Sequence, residues 1–331
     1  TGVDINSWIT ASKGDVSIQA DGTGPGDLMQ HANVTASKGS VKLSGYNLVQ
    51  DKNVVTTAGD GILMGASDSL QAARLNATGD VQLGTEGGIW VVGAVNGSSV
   101  GMQGTGVDLK GAVTASKGDV SIKADAAGSG NFNQSANMTA SKGSVYITGS
   151  NVVQDYGVST VAGGDVTMGT SGTLQTGNLT GKTVSLEGDT VYVLGNVNSD
   201  GNVVFHATNS ACAPGADCQS DQQKGIFQLG NVTSRNGGVL MAVDPGVSYD
   251  PDTGIPTIAY TGMIGQYPTS LTRAATDISL QAVAVYSGNN VANKSIDVQA
   301  YVTKYMGTFS APQITLPPPV TVSDNGGSSG R

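Results

Sequence analysis

Apolar and polar positions alternate along this chain in short bursts. Cores of the form Val-x-Ile or Val-x-Leu stand at Val16-Ser17-Ile18, Val41-Lys42-Leu43, Ile62-Leu63-Met64, Val81-Gln82-Leu83 and Val100-Gly101-Met102. They continue at Val120-Ser121-Ile122, Val145-Tyr146-Ile147, Val166-Thr167-Met168 and Val184-Ser185-Leu186. A two-residue period of this kind marks a strand with one buried face. The steps between cores are 25, 21, 19, 19, 20, 25, 21 and 18 residues. Each core follows a Gly-containing turn, usually x-Gly-Asp-Val or x-Gly-Ser-Val, and Gly tolerates the tight corners that such turns need. No helical pattern long enough to form a crossover intervenes, which argues against strand–helix–strand units.

A larger period lies over the small one. The motif Thr-Gly-Val-Asp at Thr1 returns at Thr105, and Ile9-Thr-Ala-Ser-Lys-Gly-Asp-Val-Ser-Ile returns with Val113 in place of Ile9. The run Ala32-Asn33-Val34-Thr35-Ala36-Ser37-Lys38-Gly39 returns at Ala136, and Asn47-Leu48-Val49-Gln50-Asp51 returns at Asn151. The offset is 104 residues throughout, then loosens by a two-residue contraction near Ile89 and Val191. The duplication covers about the first 205 residues.

These patterns predict an all-β fold, a right-handed parallel β-helix with coils of about 20 residues and a β-rich C-terminal portion. A β-sandwich also uses short strands, but near-identical turns and a long internal copy belong to solenoids, where each coil touches only its neighbours. Residues 1–240 are assigned to the helix, with the duplicated block and a cysteine-containing excursion at 209–225. Residues 241–310 are terminal coils or a β-rich cap, and 311–331 a Pro/Gly/Ser-rich extended tail. At about 4.8 Å per coil the rod is on the order of 60 Å long. The longer coils carry insertions at residues 23–31 and 127–135, read as a widened coil or a protruding loop that serves binding or acts as a plain spacer.

Composition narrows the function. Gly supplies 49 of 331 residues, aromatics only 5% and charged residues only 12%, with 38% apolar residues and a net charge of −9. That chain has enough apolar content to fold, and no Gly-every-third pattern that would signal collagen. Its thinly spread basic residues do not suit a nucleic-acid binder. No apolar stretch is long enough to span a membrane. The chain starts inside a repeat and is expected to be a piece of something longer.

Candidate chemistry is sparse. Cys212 and Cys218, the two cysteines, enclose a Pro-Gly turn and predict a short structural disulfide, with free thiols as the alternative. Asp244, Asp250 and Asp252 offer hard oxygen ligands that suit calcium, but Asx-turns explain them as well. His31 becomes Ser135 in the copy, so a repeated histidine-dependent role is not expected, and His206 is far from it in sequence. No nucleophile elbow, P-loop, zinc-protease motif or dinucleotide fingerprint occurs. The sequence therefore predicts no catalytic residue, no cofactor, no metal ligand and no enzymatic activity. The enzymatic alternative is a polysaccharide-degrading β-helix with an acidic groove. It would need carboxylates such as Asp165 and Asp189, or carboxylates with Arg235 or Lys182, converging in one cleft. Asp165 already reads as a turn residue, because Asp15, Asp80 and Asp119 recur at equivalent Gly-Asp-Val turns. Eight Asn-x-Ser/Thr sequons, at Asn33, Asn76, Asn96, Asn133, Asn137, Asn178, Asn231 and Asn293, permit glycosylation where the machinery exists.

The TASKGDVSI and TASKGSVYI coils, the variant Val161-Ala-Gly-Gly-Asp-Val-Thr-Met-Gly and the stretch Thr176-Gly-Asn-Leu-Thr-Gly-Lys-Thr-Val-Ser-Leu resemble filamentous-haemagglutinin-type repeats. The likeness covers roughly residues 1–240. It implies the β-helical shaft of a large bacterial exoprotein exported by two-partner secretion through an outer-membrane β-barrel transporter. It also implies a secreted or cell-surface location, and adhesion, aggregation or biofilm cohesion through a host or matrix glycan or protein receptor, or through self-association. Some large adhesins of this group keep a cysteine-closed loop near the C-terminus, which Cys212 and Cys218 loosely resemble. A pure spacer or a self-assembling filament subunit is the remaining alternative.

Overall fold

A computed structural model of the chain describes residues 2–20, 26–125, 129–208, 224–244, 246–249, 256–259, 262–300 and 302–317. Among them there is no helix, and nearly every strand pairs in parallel with the strand one coil before and one coil after it. The chain winds through three faces in turn. Face 1 carries the Val-x-Ile cores, from Val16–Gln19 to Gln313–Thr315. Face 2 runs from Val3–Ile5 to Val302–Tyr305, and face 3 from Ile9–Ala11 to Phe309–Ser310. Face 3 has 14 rungs, and faces 1 and 2 join into one sheet because Val41–Gln50 and Ile62–Ala72 run through the corner between them. At about 4.8 Å per rung the solenoid is on the order of 60 Å long.

The register follows the sequence period. Val16 pairs with Val41, Val41 with Ile62, Ile62 with Val81, and Val81 with Val100. The same column continues through Val120, Val145, Val166, Val184, Val203, Val239, Ile278 and Ile296. Like residues stack on like, so each coil completes its neighbour's core and saturates its backbone groups. The inward positions are almost all buried aliphatics, with Phe132 and Phe205 the largest. The last inward position of face 3 takes only small residues, among them Ala36, Ala58, Ala115, Ala140 and Ser234, where the chain turns sharply toward face 1. A core this narrow accounts for the scarcity of aromatic residues.

Two neighbouring inward columns break the aliphatic rule, at the end of face 2 and the start of face 3. At the end of face 2, buried Gln30 and Gln50 occupy successive rungs, and Gln50 Nε2 donates to Gln30 Oε1 at 2.7 Å and to Thr56 Oγ1 at 2.8 Å. Gln134, Gln154 and Thr160 repeat this arrangement with the same two distances. A third set, Gln228, Gln266 and Thr272, repeats it again, with both corresponding bonds at 2.9 Å. An unpaired amide in such a core would cost roughly 1–3 kcal/mol, so the side chains occur as mutually bonded sets. The two glutamines lie 20 residues apart in the first two sets and 38 in the third. The extra 38 − 20 = 18 residues contain a two-stranded antiparallel hairpin, Gly246–Tyr249 with Pro256–Ala259, which stands outside the solenoid pairing. The block thus has a third, partial copy. After it the coils continue without a break in pairing through Gln313–Thr315.

Candidate binding surfaces

The predicted site residues separate into corners, outward ladders and one charged cluster. The Gly-Asp-Val aspartates are corner caps. The Oδ1 atoms of Asp15, Asp80, Asp119 and Asp165 accept the backbone N–H of Ser40, Ser99, Ser144 and Thr183 on the next rung, at 2.7–3.2 Å. Asp165 also accepts the Thr183 hydroxyl at 2.8 Å. Asp165 precedes strand Val166–Thr170, whereas Asp189 follows strand Val184–Gly188, the partner on the next rung. A five-residue strand, roughly 15 Å long, separates their corners, so they do not face one groove. Arg235 pairs with Asp200 at 3.2 Å on an exposed corner.

His206 lies on the outer side of face 1 and brings together residues the sequence reading had not joined. Its Nε2 is 3.1 Å from Asp244 Oδ1 and its Nδ1 3.9 Å from Glu187 Oε1. Asp189 pairs with Lys224 at 2.8 Å nearby. Asp244 stands two residues before the hairpin strand Gly246–Tyr249. Among the described residues no group of three or more His, Cys, Asp or Glu side chains is arranged to hold a metal ion. Cys212 and Cys218 of the expected disulfide, and Asp250 and Asp252 of the calcium reading, lie outside the described residues. His31 Nδ1 lies 2.9 Å from Asp51 Oδ2 on the surface. No described helix is long and apolar enough to cross a membrane.

Face 3 presents an outward ladder. Thr10, Thr35, Thr57, Asn76, Asn96, Thr114 and Thr139 occupy successive rungs. The corner leading into this face is an asparagine row. Asn33, Asn137, Asn178 and Asn231 accept the next rung's N–H from Val55, Ser159, Asn196 and Leu271 at 2.8–2.9 Å. Each is followed by an inward aliphatic and an outward Thr, so four of the sequons are the corner-and-ladder pattern itself. On face 2, Tyr192 and Phe227 occupy successive rungs and stack at 5.1 Å and 19°, each covering one ring face of the other.

A groove of about 420 Å³ opens at the corner between faces 2 and 3. Its lining is mostly polar, with Asn178, Asn196, Asn231 and Thr269 beside Tyr156, Leu194 and Leu229. Tyr156 is 81% exposed. It stands in a turn closed by Val158 N–H on the Asp155 carbonyl at 3.1 Å, with Gly157 at φ +87°. That left-handed conformation favours glycine. Sequence reading missed both the glutamine sets and this groove. The shared string Gln-x-x-Asn-(Val/Met)-Thr-(Ala/Ser) at Gln30, Gln134 and Gln228 carried the signal for the first. Comparison with protein families, with curated proteins and with solved structures found no match to this chain. The fold alone, a repetitive parallel all-β solenoid, therefore describes what it is.

Proposed function

We propose that this chain is part of the shaft of a secreted or cell-surface bacterial adhesin of the filamentous-haemagglutinin type, exported through an outer-membrane β-barrel transporter. It serves attachment, aggregation or biofilm cohesion and has no enzymatic role. The observation that carries the reading is the duplicated block, wound in register into one continuous solenoid whose outward ladders repeat from rung to rung. A rod of this kind lengthens by adding coils, since each coil supplies its neighbour's hydrogen bonds and core contacts. Repetition along the rod suits many weak contacts in parallel. The corner aspartates support the same reading, because their carboxylates are engaged in holding the next rung.

The test is deletion of this region from the full-length protein, scored for surface display, cell aggregation and attachment. Loss of aggregation or attachment is expected. If all three are unchanged, the adhesive reading fails. The enzymatic part is tested by incubating the chain with pectate, alginate and other acidic glycans, with and without calcium. Turnover that is lost on substitution of Glu187, His206 or Asp244 would replace this reading with the acidic-groove alternative.

A further inference from the structure

We infer that the corner groove beside Tyr156 binds a neutral saccharide of one or two rings. This rests on the adhesive reading and names a ligand for it. The groove's volume, about 420 Å³, falls at the small end of pockets that take small molecules. Its floor is built by glycines. A Cβ on Gly195 would lie 2.3 Å from a Gly177 backbone carbon, and one on Gly230 would lie 1.9 Å from the Gly195 carbonyl oxygen. The corner backbones therefore stack directly and keep the floor clear of side chains.

The polar side of the groove offers donors. The Oδ1 atoms of Asn178, Asn196 and Asn231 are engaged, accepting the N–H of Asn196, Asn231 and Leu271 at 2.9–3.0 Å. Among the described residues their Nδ2 groups have no protein partner. This leaves a row of amide donors about 4.8 Å apart, the spacing of the rungs. Tyr156, Leu194 and Leu229 also line the groove and add a smaller apolar surface. A neutral pyranose suits such a lining, with many oxygen acceptors for the amides and a C–H face for the ring and leucines. Among the described residues the lining holds no carboxylate, ammonium or guanidinium group, so they have nothing to pair with a charged sugar. The matching places in the first copy are Lys52, Arg74 and Ala94, and they offer no such row.

The chain is produced in a host without N-glycosylation, because Asn178 and Asn231 open sequons. It is titrated with neutral mono- and disaccharides, uronic-acid saccharides and short uncharged peptides, by saturation-transfer NMR and calorimetry. Neutral saccharides are expected to bind. Tyr156→Ala and Asn196→Asp should each lower the association constant about tenfold. Asn196→Asp keeps an oxygen acceptor for the Asn231 N–H, removes the amide donor and adds one negative charge, so an unchanged melting temperature separates binding from folding. Arg74→Ala, in the first copy, should leave binding as it was. The proposal is overturned if no neutral saccharide binds at millimolar concentration, if uronic-acid saccharides or peptides bind better, or if both groove substitutions leave binding unchanged. In cells, attachment that is lost on deletion of the region but kept in full-length protein with Asn196→Asp overturns this site and leaves the adhesive reading standing. Attachment unchanged by the deletion itself overturns the adhesive reading.

Discussion

The two copies of the block, residues 2–104 and 105–208, share an interior and differ at a corner. Inside, Leu28, Leu48 and Leu70 of the first copy become Phe132, Val152 and Leu174 in the second, and all six are buried. The glutamine sets are kept with the same geometry. At the corner between faces 2 and 3, Lys52, Arg74 and Ala94 become Tyr156, Asn178 and Asn196. An inward side chain must fit between the rungs above and below it and must satisfy its own polar atoms, so little else is tolerated there. A corner side chain meets solvent on one side, and only its backbone geometry is prescribed. Interior changes are therefore mostly exchanges among apolar side chains, such as Leu28 for Phe132, while the corner has changed charge and polarity.

That contrast can be broken by charge. Leu70→Asp and Leu174→Asp place the same unpaired carboxylate in equivalent interior sites, and each should cost more than about 4 kcal/mol. Urea unfolding checks this, and a large loss in one copy alone would show that the two interiors are not equivalent. The glutamine sets come next. Gln50→Ala and Gln154→Ala strand the N–H of Ala73 and Gly177 and should cost about 2 kcal/mol, whereas replacing Gln134, Gln154 and Thr160 together by Leu, Leu and Val leaves the Gly177 N–H unmet as well but fills the space, and should cost no more. If the triple replacement costs more than Gln154→Ala, the set contributes more than its own satisfaction.

Smaller effects sharpen the comparison at positions where the copies differ. Above Gln50 the first copy has Ala72, while the second has Thr176, whose buried hydroxyl lacks a partner. Thr176→Val should stabilise the chain by about 1 kcal/mol, read as a rise in melting temperature. Asn178→Ala should cost about 1 kcal/mol, because Asn196 loses the acceptor for its N–H, while Arg74→Ala at the matching corner should stay within about 0.5 kcal/mol. The smallest effect belongs to the cysteines. Reduction should leave the main unfolding transition in place, since the loop between Cys212 and Cys218 is short, and uptake of thiol labels before reduction would show that no bond had formed.

Much of this fold can be read along the chain. The spacing of Val16, Val41, Ile62, Val81 and Val100 is the pairing register itself, because in a solenoid the sequence period and the rung are the same object. Asp165 is legible as a corner residue for the same reason. The third partial block was hidden by the 18 residues that separate Gln228 from Gln266 beyond the usual spacing. Such an insertion breaks the period in sequence while leaving the rungs adjacent in space.

By itself, the sequence determined the coil, its register and its narrow aliphatic core, since each follows from residues repeated at a fixed step. Only the tertiary structure decided that Asp165 and Asp189 sit at opposite ends of a face, that His206 stands between Glu187 and Asp244, and that Tyr156 overlooks a row formed by Asn178, Asn196 and Asn231. The reason is geometric. A period states which residues share a column, but a groove or a charged cluster joins neighbouring columns, rungs and corners. Their distances depend on how each turn closes and where each insertion leaves the rod.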